Sequence, residues 1–144
     1  MPIQPYLMFE GRCEEAIEFY RHALGAEVAM LMHYSDAPPV ESQEGCASPM
    51  AMPPSKVMHA ALQIGDAMIL ASDGMCSGTP NFQGISLSLT AATDAEAARL
   101  FDALAAGGGE VRMPLASTFF ASSFGMVADR FGVSWMIIKP LQTP

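Results

Sequence analysis

Positive charge is scarce in this chain. Seven lysines and arginines stand against fifteen acidic residues in 144 positions, for a formal charge of −8. The basic residues are scattered, so no phosphate-binding cluster forms, and nucleic acid and anionic membranes are disfavoured as partners. No apolar run approaches the ~20 residues that span a bilayer. The opening Met1-Pro2-Ile3-Gln4 carries neither a basic segment nor a hydrophobic leader, so a cytoplasmic protein is expected. Cysteine is also sparse. Cys13, Cys46 and Cys76 are odd in number and form no C-x-x-C pair, which argues against a disulfide framework or a zinc knuckle. A thiol nucleophile needs a base within reach, and His22 lies too far from Cys13 along the same helical stretch.

What is present points to a packed globule. The chain is 51% hydrophobic and only 15% charged, and its length suits one domain with a real core. Twelve methionines read as gap-filling core and adaptable surface, with a flexible ligand lining as the weaker alternative.

One pattern occurs twice. Residues 6–28 read YLMFEGRCEEAIEFYRHALGAEV and residues 87–111 read LSLTAATDAEAARLFDALAAGGGEV. Each is a short apolar strand, a helix with Glu-Ala near its start, glycine, and Glu-Val. Repeated units rarely bury their apolar faces alone, so the two halves are expected to share a core and a cleft. In the first half, strands are predicted at 3–9, 28–34, 57–64 and 67–72, with a helix from Cys13 to Leu24 stopped by Gly25. In the second half, strands are predicted at 85–90, 110–115, 121–128 and 133–139. The intervening helix starts at a Thr93/Glu96 capping box and stops at Gly107-Gly108-Gly109.

Within the first half, between its second and third strands, residues 35–55 break every period with Pro38, Pro39, Gly45, Pro49, Pro53 and Pro54. Such a loop reads as a lid, an arm to a partner subunit, or plain slack. The resulting fold class is α+β: two βαβββ modules, 1–73 and 84–140, joined by a linker at 74–83. Their curved mixed sheets are expected to surround one cleft.

The doubled βαβββ unit resembles the vicinal oxygen chelate (glyoxalase/bleomycin resistance/dioxygenase) superfamily. PYLMFEGRCEEAIEFYRHALGAEV, KVMHAALQIGDAMILASDG and FGMVADRFGVSWMI are similar to its PhnB-like, demethylubiquinone methyltransferase-like branch. The resemblance implies homodimerisation, with clefts formed within one chain or across two. It also implies metal ligands on the first and last strand of each half, carried over by local spacing to Pro5, Ile69, Ser86 and Met136. The family pattern Asp-Pro-Phe-Gly-x-x-Trp-Glu is met here by Asp129-Arg130-Phe131-Gly132-Val133-Ser134-Trp135-Met136, so the acidic ligand has become methionine. First-row divalent metals want imidazole and carboxylate, so no metal or other cofactor is expected. The alternative is a divalent-metal-dependent lyase, isomerase or dioxygenase with a non-standard site around His59, Asp73 and Asp129.

Methyl transfer is not expected. A nucleotide-like cofactor sits on a glycine-rich turn from strand to helix, whereas the glycine run at 107–109 leads from helix to strand. A phosphonate would need convergent cations, and Lys56, Arg112, Arg130 and Lys139 are far apart in sequence. The positive signals are polar strand faces and aromatics. Tyr6, His59, Gln63, Asp73, Ser86, Ser88, Phe120, Phe124 and Trp135 are therefore the candidate cleft residues, for a small, partly apolar ligand.

Overall fold

The computed structural model describes residues 2–36 and 53–141. Two compact units make up the chain, Met1–Pro80 and Asn81–Pro144. The first contains β1 (Tyr6–Met8), α1 (Cys13–Leu24), β2 (Glu27–His33), a 3-10 turn at Tyr34–Asp36, β3 (Val57–Ile64) and β4 (Ala67–Ser72). The second contains β5 (Ser86–Thr90), α2 (Asp94–Ala105), β6 (Glu110–Ala116), β7 (Ala121–Ala128) and β8 (Ser134–Pro140). The sheets are ordered β1-β4-β3-β2 and β5-β8-β7-β6. In each, the first strand runs parallel to the last and the other neighbours are antiparallel. The repeat read from sequence is thus a structural repeat, down to a bulge: register shifts after Val28 in β2 and after Val111 in β6.

Local chemistry sets the helix ends. Glu14 and Glu15 occupy the first turn of α1, and Arg21 and His22 the last, each favourable for the helix dipole. Gly25 takes the left-handed conformation (φ 67°), and the Ala26 amide donates back to the Tyr20 carbonyl at 3.2 Å. At the start of α2, Thr93 Oγ1 accepts from the Glu96 amide at 3.0 Å and Glu96 Oε2 accepts from the Ala92 amide at 3.1 Å. This is the expected box, with its return bond one residue early. Past α2, Gly107 (φ +74°) leaves room for the Arg130 guanidinium, whose Nη2 would lie 2.1 Å from any Cβ there.

Each sheet has one face against its own helix. In β3 the buried positions are Val57, Ala60, Leu62 and Ile64, and α1 buries Cys13, Ala16, Ile17, Phe19, Tyr20 and Ala23. In the second unit α2 buries Ala97, Leu100, Phe101 and Leu104, while Val127, Trp135 and Ile137 are buried in the strands.

Two expectations are corrected. The first strand covers Tyr6–Met8 rather than 3–9, because its ladder to β4 runs from Tyr6–Leu70 to Met8–Ser72. The residues expected as linker are partly anchored: Glu10 Oε2 accepts from the Met75 and Ser77 amides at 3.0 Å each, and the Gly78 amide donates to the Glu10 carbonyl. Most of loop 35–55 lies outside the described residues. Its ends are close together, with the Ser35 amide 3.0 Å from the Pro54 carbonyl.

Candidate functional site

The face of each sheet away from its helix carries the candidate chemistry. In the first unit, register partners place Tyr6 beside Leu70, Leu70 beside Ala61, and Ala61 beside Met30. His59 and Gln63 lie on the same face as Ala61 by strand alternation. Tyr6 is 41% exposed. Its hydroxyl lies 3.1 Å from His59 Nδ1 and the two rings are 5.6 Å apart, so the sheet does bring these two candidates together. Gln63 donates to the Gly65 carbonyl at 3.0 Å and holds its own hairpin. Burial pushes the Tyr34 phenol up, with Cys76, Tyr6 and Asp73 adding to it. The Cys76 thiol is also raised, by burial first and then by Asp73, against a smaller opposing pull from Lys56.

Asp73 is elsewhere. It is buried, and its carboxylate accepts from the Gly11, Cys13 and Val57 amides at 3.1, 2.7 and 2.6 Å. The α1 N-cap residue Arg12 provides no side-chain cap, so Asp73 fills that role from sixty residues away. The expectation that it lines an open face is corrected. Deep burial, together with Asp73 and Glu14, also raises the Cys13 thiol strongly and leaves it an unreactive core group.

In the second unit, Ser88 and Thr90 of β5 are exposed, and their register partners Met136 and Ile138 are half-buried. Met126 and Phe124 of β7 continue that face. Ser86 bonds Ser134 hydroxyl to hydroxyl at 2.8 Å. Phe120 and Phe124 stack edge to face at 5.2 Å, and Phe119, 92% exposed, adds a third ring 5.1 Å from Phe120. Trp135 is the second correction. It has the opposite parity to Met136 and is buried, with its indole N–H donated to Asp129 Oδ2 at 2.9 Å. Asp129 is buried too and is engaged by that bond and by the Phe131 and Val133 amides. Asp94, at the start of α2, accepts from the Ser122 and Ser123 hydroxyls at 2.7 Å each, which holds its carboxyl below the usual range.

The methionines depart from the gap-filling core role that their number suggests. Met8, Met30, Met32, Met58, Met68, Met75, Met113, Met126 and Met136 are all exposed or half-buried, and none of these described methionines belongs to the core. The i,i+2 spacing of Met30 and Met32 could have announced a strand face.

The divalent metal implied by the superfamily does not fit the positions that should hold it. Pro5 has no donor. Ile69 is buried on the helix side, paired with Leu62. Ser86 is bonded to Ser134 and Met136 offers only a thioether. Among the described residues no three His, Cys, Asp or Glu side chains group as a metal site. A nucleotide-like cofactor fares no better at the helix starts. Asp73 takes amides at the start of α1, and Thr93 with Glu96 takes those at α2. Lys56, Arg130 and Lys139 donate to the carbonyls of Gly11, Ala106 and Pro140.

A family model described as 3-demethylubiquinone-9 3-methyltransferase matches residues 1–138. The chain belongs to this PhnB-like family. It is 40% identical to protein YjdN of Escherichia coli (strain K12), over 100% of this chain and 99% of that one. Among solved structures it is similar to protein PA1353 of Pseudomonas aeruginosa, with 40% identity, a TM-score of 0.80 and 99% of both chains covered. A Bacillus cereus PhnB protein, described as a putative 3-demethylubiquinone-9 3-methyltransferase, is 28% identical with a TM-score of 0.75, over 96% of this chain and 99% of that one. The fosfomycin resistance protein FosX of Mesorhizobium loti, at 11% identity and a TM-score of 0.62, covers 98% of this chain and 92% of its own and shares the fold.

One ion pair in the first unit has a pH consequence. His33 of β2 pairs with Glu14 of α1, and Asp36 lies 3.7 Å from its Nδ1. The hydrogen bond to Glu14, reinforced by the charges of Glu14 and Asp36, raises the His33 imidazole despite some desolvation. A raised folded-state value means that the stabilisation is complete below the ordinary histidine value of about 6.5 and is lost as pH rises through the folded value. In an NMR titration His33 is expected to titrate above the ordinary histidine value, and Glu14→Gln is expected to return it toward that value.

Proposed function

We propose that this protein binds a small, partly apolar molecule on the open sheet faces, without the superfamily's divalent metal and without methyl transfer. One observation carries this reading: the described methionines sit on the surface, alongside Tyr6 and His59 in one unit and Phe120 and Phe124 in the other. Thioethers are polarizable and adaptable, and they favour contact with aromatic rings. A face of this kind, dotted with hydroxyls from Tyr6, Ser88 and Thr90, favours a flat or flexible organic ligand over a strongly charged one. A homodimer in the cytoplasm is the accompanying expectation.

The test pairs metal analysis with ligand screening. Protein purified without chelator or affinity-tag metal is expected to carry far less than one equivalent of divalent metal. A screen of small aromatic and aliphatic compounds is expected to yield ligands that raise Tm. A ligand at a hundred times its Kd stabilises by about 2.7 kcal/mol. That rise should vanish in Tyr6→Ser or Phe124→Ser, whichever face is used. One equivalent of divalent metal lost in His59→Ala, or methyl transfer from S-adenosylmethionine, would refute the proposal. Sedimentation equilibrium checks the dimer.

A further inference from the structure

The open face of the first sheet holds a second kind of donor set, independent of any organic ligand. Register pairs Met32 of β2 with His59 of β3, and Met30 with Ala61, two residues along from His59. Residues i and i+2 of a strand share a face, so Met30, Met32 and His59 occupy neighbouring places on one side of the sheet. Directly opposed residues in an antiparallel pair have Cβ atoms about 4.5–5.5 Å apart, and diagonal neighbours lie about 7–8 Å apart. Methionine and histidine side chains can close on one ion from those distances.

The imidazole is already oriented. The Tyr6 hydroxyl takes Nδ1 at 3.1 Å. Among the described residues Nε2 has no hydrogen-bond partner. When Nδ1–H donates to the Tyr6 oxygen, Nε2 presents a lone pair, which is the arrangement in which histidine ligates metals. Tyr6 is exposed and Met32 and His59 are half-buried, so solvent reaches this end of the face.

The donors define the ion. Two thioethers and one neutral imidazole contain no carboxylate and no thiolate. Such a set is weak for Zn²⁺, Mn²⁺ or Mg²⁺ and suited to a soft ion. We propose that Met30, Met32 and His59 bind a single soft monovalent cation, Cu(I), on the open face of β2 and β3. Binding forms two sulfur–metal bonds and one nitrogen–metal bond, displaces solvent or a carrier ligand from Cu(I), and involves no change of oxidation state. The chain's formal charge of −8 offers no general repulsion to a cation.

The full-length protein in a Cys46→Ser/Cys76→Ser background removes the two thiols that would compete for a soft ion; Cys13 is buried in the core and stays. Ag(I), which does not change oxidation state, serves as the NMR probe, and Cu(I) is measured anaerobically against a chromophoric Cu(I) chelator. One equivalent is expected, with the methyl signals of Met30 and Met32 and the ring signals of His59 moving together. Met30→Leu, Met32→Leu and His59→Ala should each weaken binding at least about tenfold, while circular dichroism and Tm confirm that the surface variants fold. Undiminished binding in Met30→Leu/Met32→Leu, shifts confined to other methionines, or no binding in the cysteine-substituted protein would each overturn the assignment. The organic-ligand screen runs without copper, so either proposal can fail alone.

Discussion

Replacing Asp73 by alanine is expected to destabilise the first unit by about 3–5 kcal/mol, a large part of the 5–15 kcal/mol that usually holds a domain together. One carboxylate ties three segments that are far apart in sequence. Oδ1 accepts from the Gly11 and Cys13 amides before and at the start of α1, and Oδ2 accepts from the Val57 amide at the start of β3. Cys13 and Val57 are fully buried, so water cannot readily replace the lost acceptor. Each orphaned buried donor costs about 1–3 kcal/mol, and the start of α1 also loses a negative charge at its positive end. Asp73→Asn should fall between wild type and alanine. Its oxygen can keep two of the three bonds, but its NH2 group must then face the Val57 N–H. Urea unfolding by far-UV circular dichroism measures the change, and hydrogen exchange at Cys13 and Val57 localises it. A loss under about 1 kcal/mol, the scale of an average substitution, would show that the three amides find other partners.

That carboxylate also shows where sequence reading stops. Period 2 and period 3.6 made the elements legible: Cys13–Leu24, Val57–Ile64, Ala67–Ser72 and Ala121–Ala128 lie where the apolar spacing puts them. The helix-two core of Ala97, Leu100, Phe101 and Leu104 follows from the same spacing. The two βαβββ units follow from the repeat itself. Asp73 reads as a free acid at a strand end because its partners are backbone amides up to 62 residues away, which have no side-chain signature. A buried acceptor of main-chain hydrogen bonds and a functional acid look alike until the chain is folded.

Trp135 failed differently, since its parity was available. Met136 and Ile138 share the face of Ser88 and Thr90, so Trp135 and Ile137 must point to α2. Aromatic character suggests a cleft position for Trp135, but alternation is the stronger constraint. The methionines reverse the usual expectation that unbranched apolar residues fill the core. Ala, Leu, Ile, Val and aromatic side chains occupy the buried positions, which leaves the described methionines to the surface, where adaptability is useful.

In the second unit, Asp129→Asn is expected to cost about 2–4 kcal/mol, and the loss should depend on Trp135. The buried carboxylate has the same two-plus-one pattern as Asp73. Oδ1 accepts from the Phe131 and Val133 amides at 2.9 and 3.1 Å, closing the turn between β7 and β8, and Oδ2 accepts the Trp135 indole N–H at 2.9 Å. An asparagine that keeps the turn aims its NH2 at the indole N–H, donor against donor. An asparagine that keeps the indole bond loses the turn. Trp135→Phe removes the indole donor, so adding Asp129→Asn in that background should cost less, with a coupling of 1–2 kcal/mol, within the range seen for residues in direct contact. Trp135 is the only tryptophan, so its fluorescence reports this site alone. Wild type should emit at short wavelength, as a buried indole does, and Asp129→Asn should alter that emission before unfolding begins. Strict additivity of the two substitutions would show that the carboxylate acts only on the turn. Measurable coupling would establish that one side chain closes the β7–β8 hairpin and fixes the tryptophan beneath α2 at the same time.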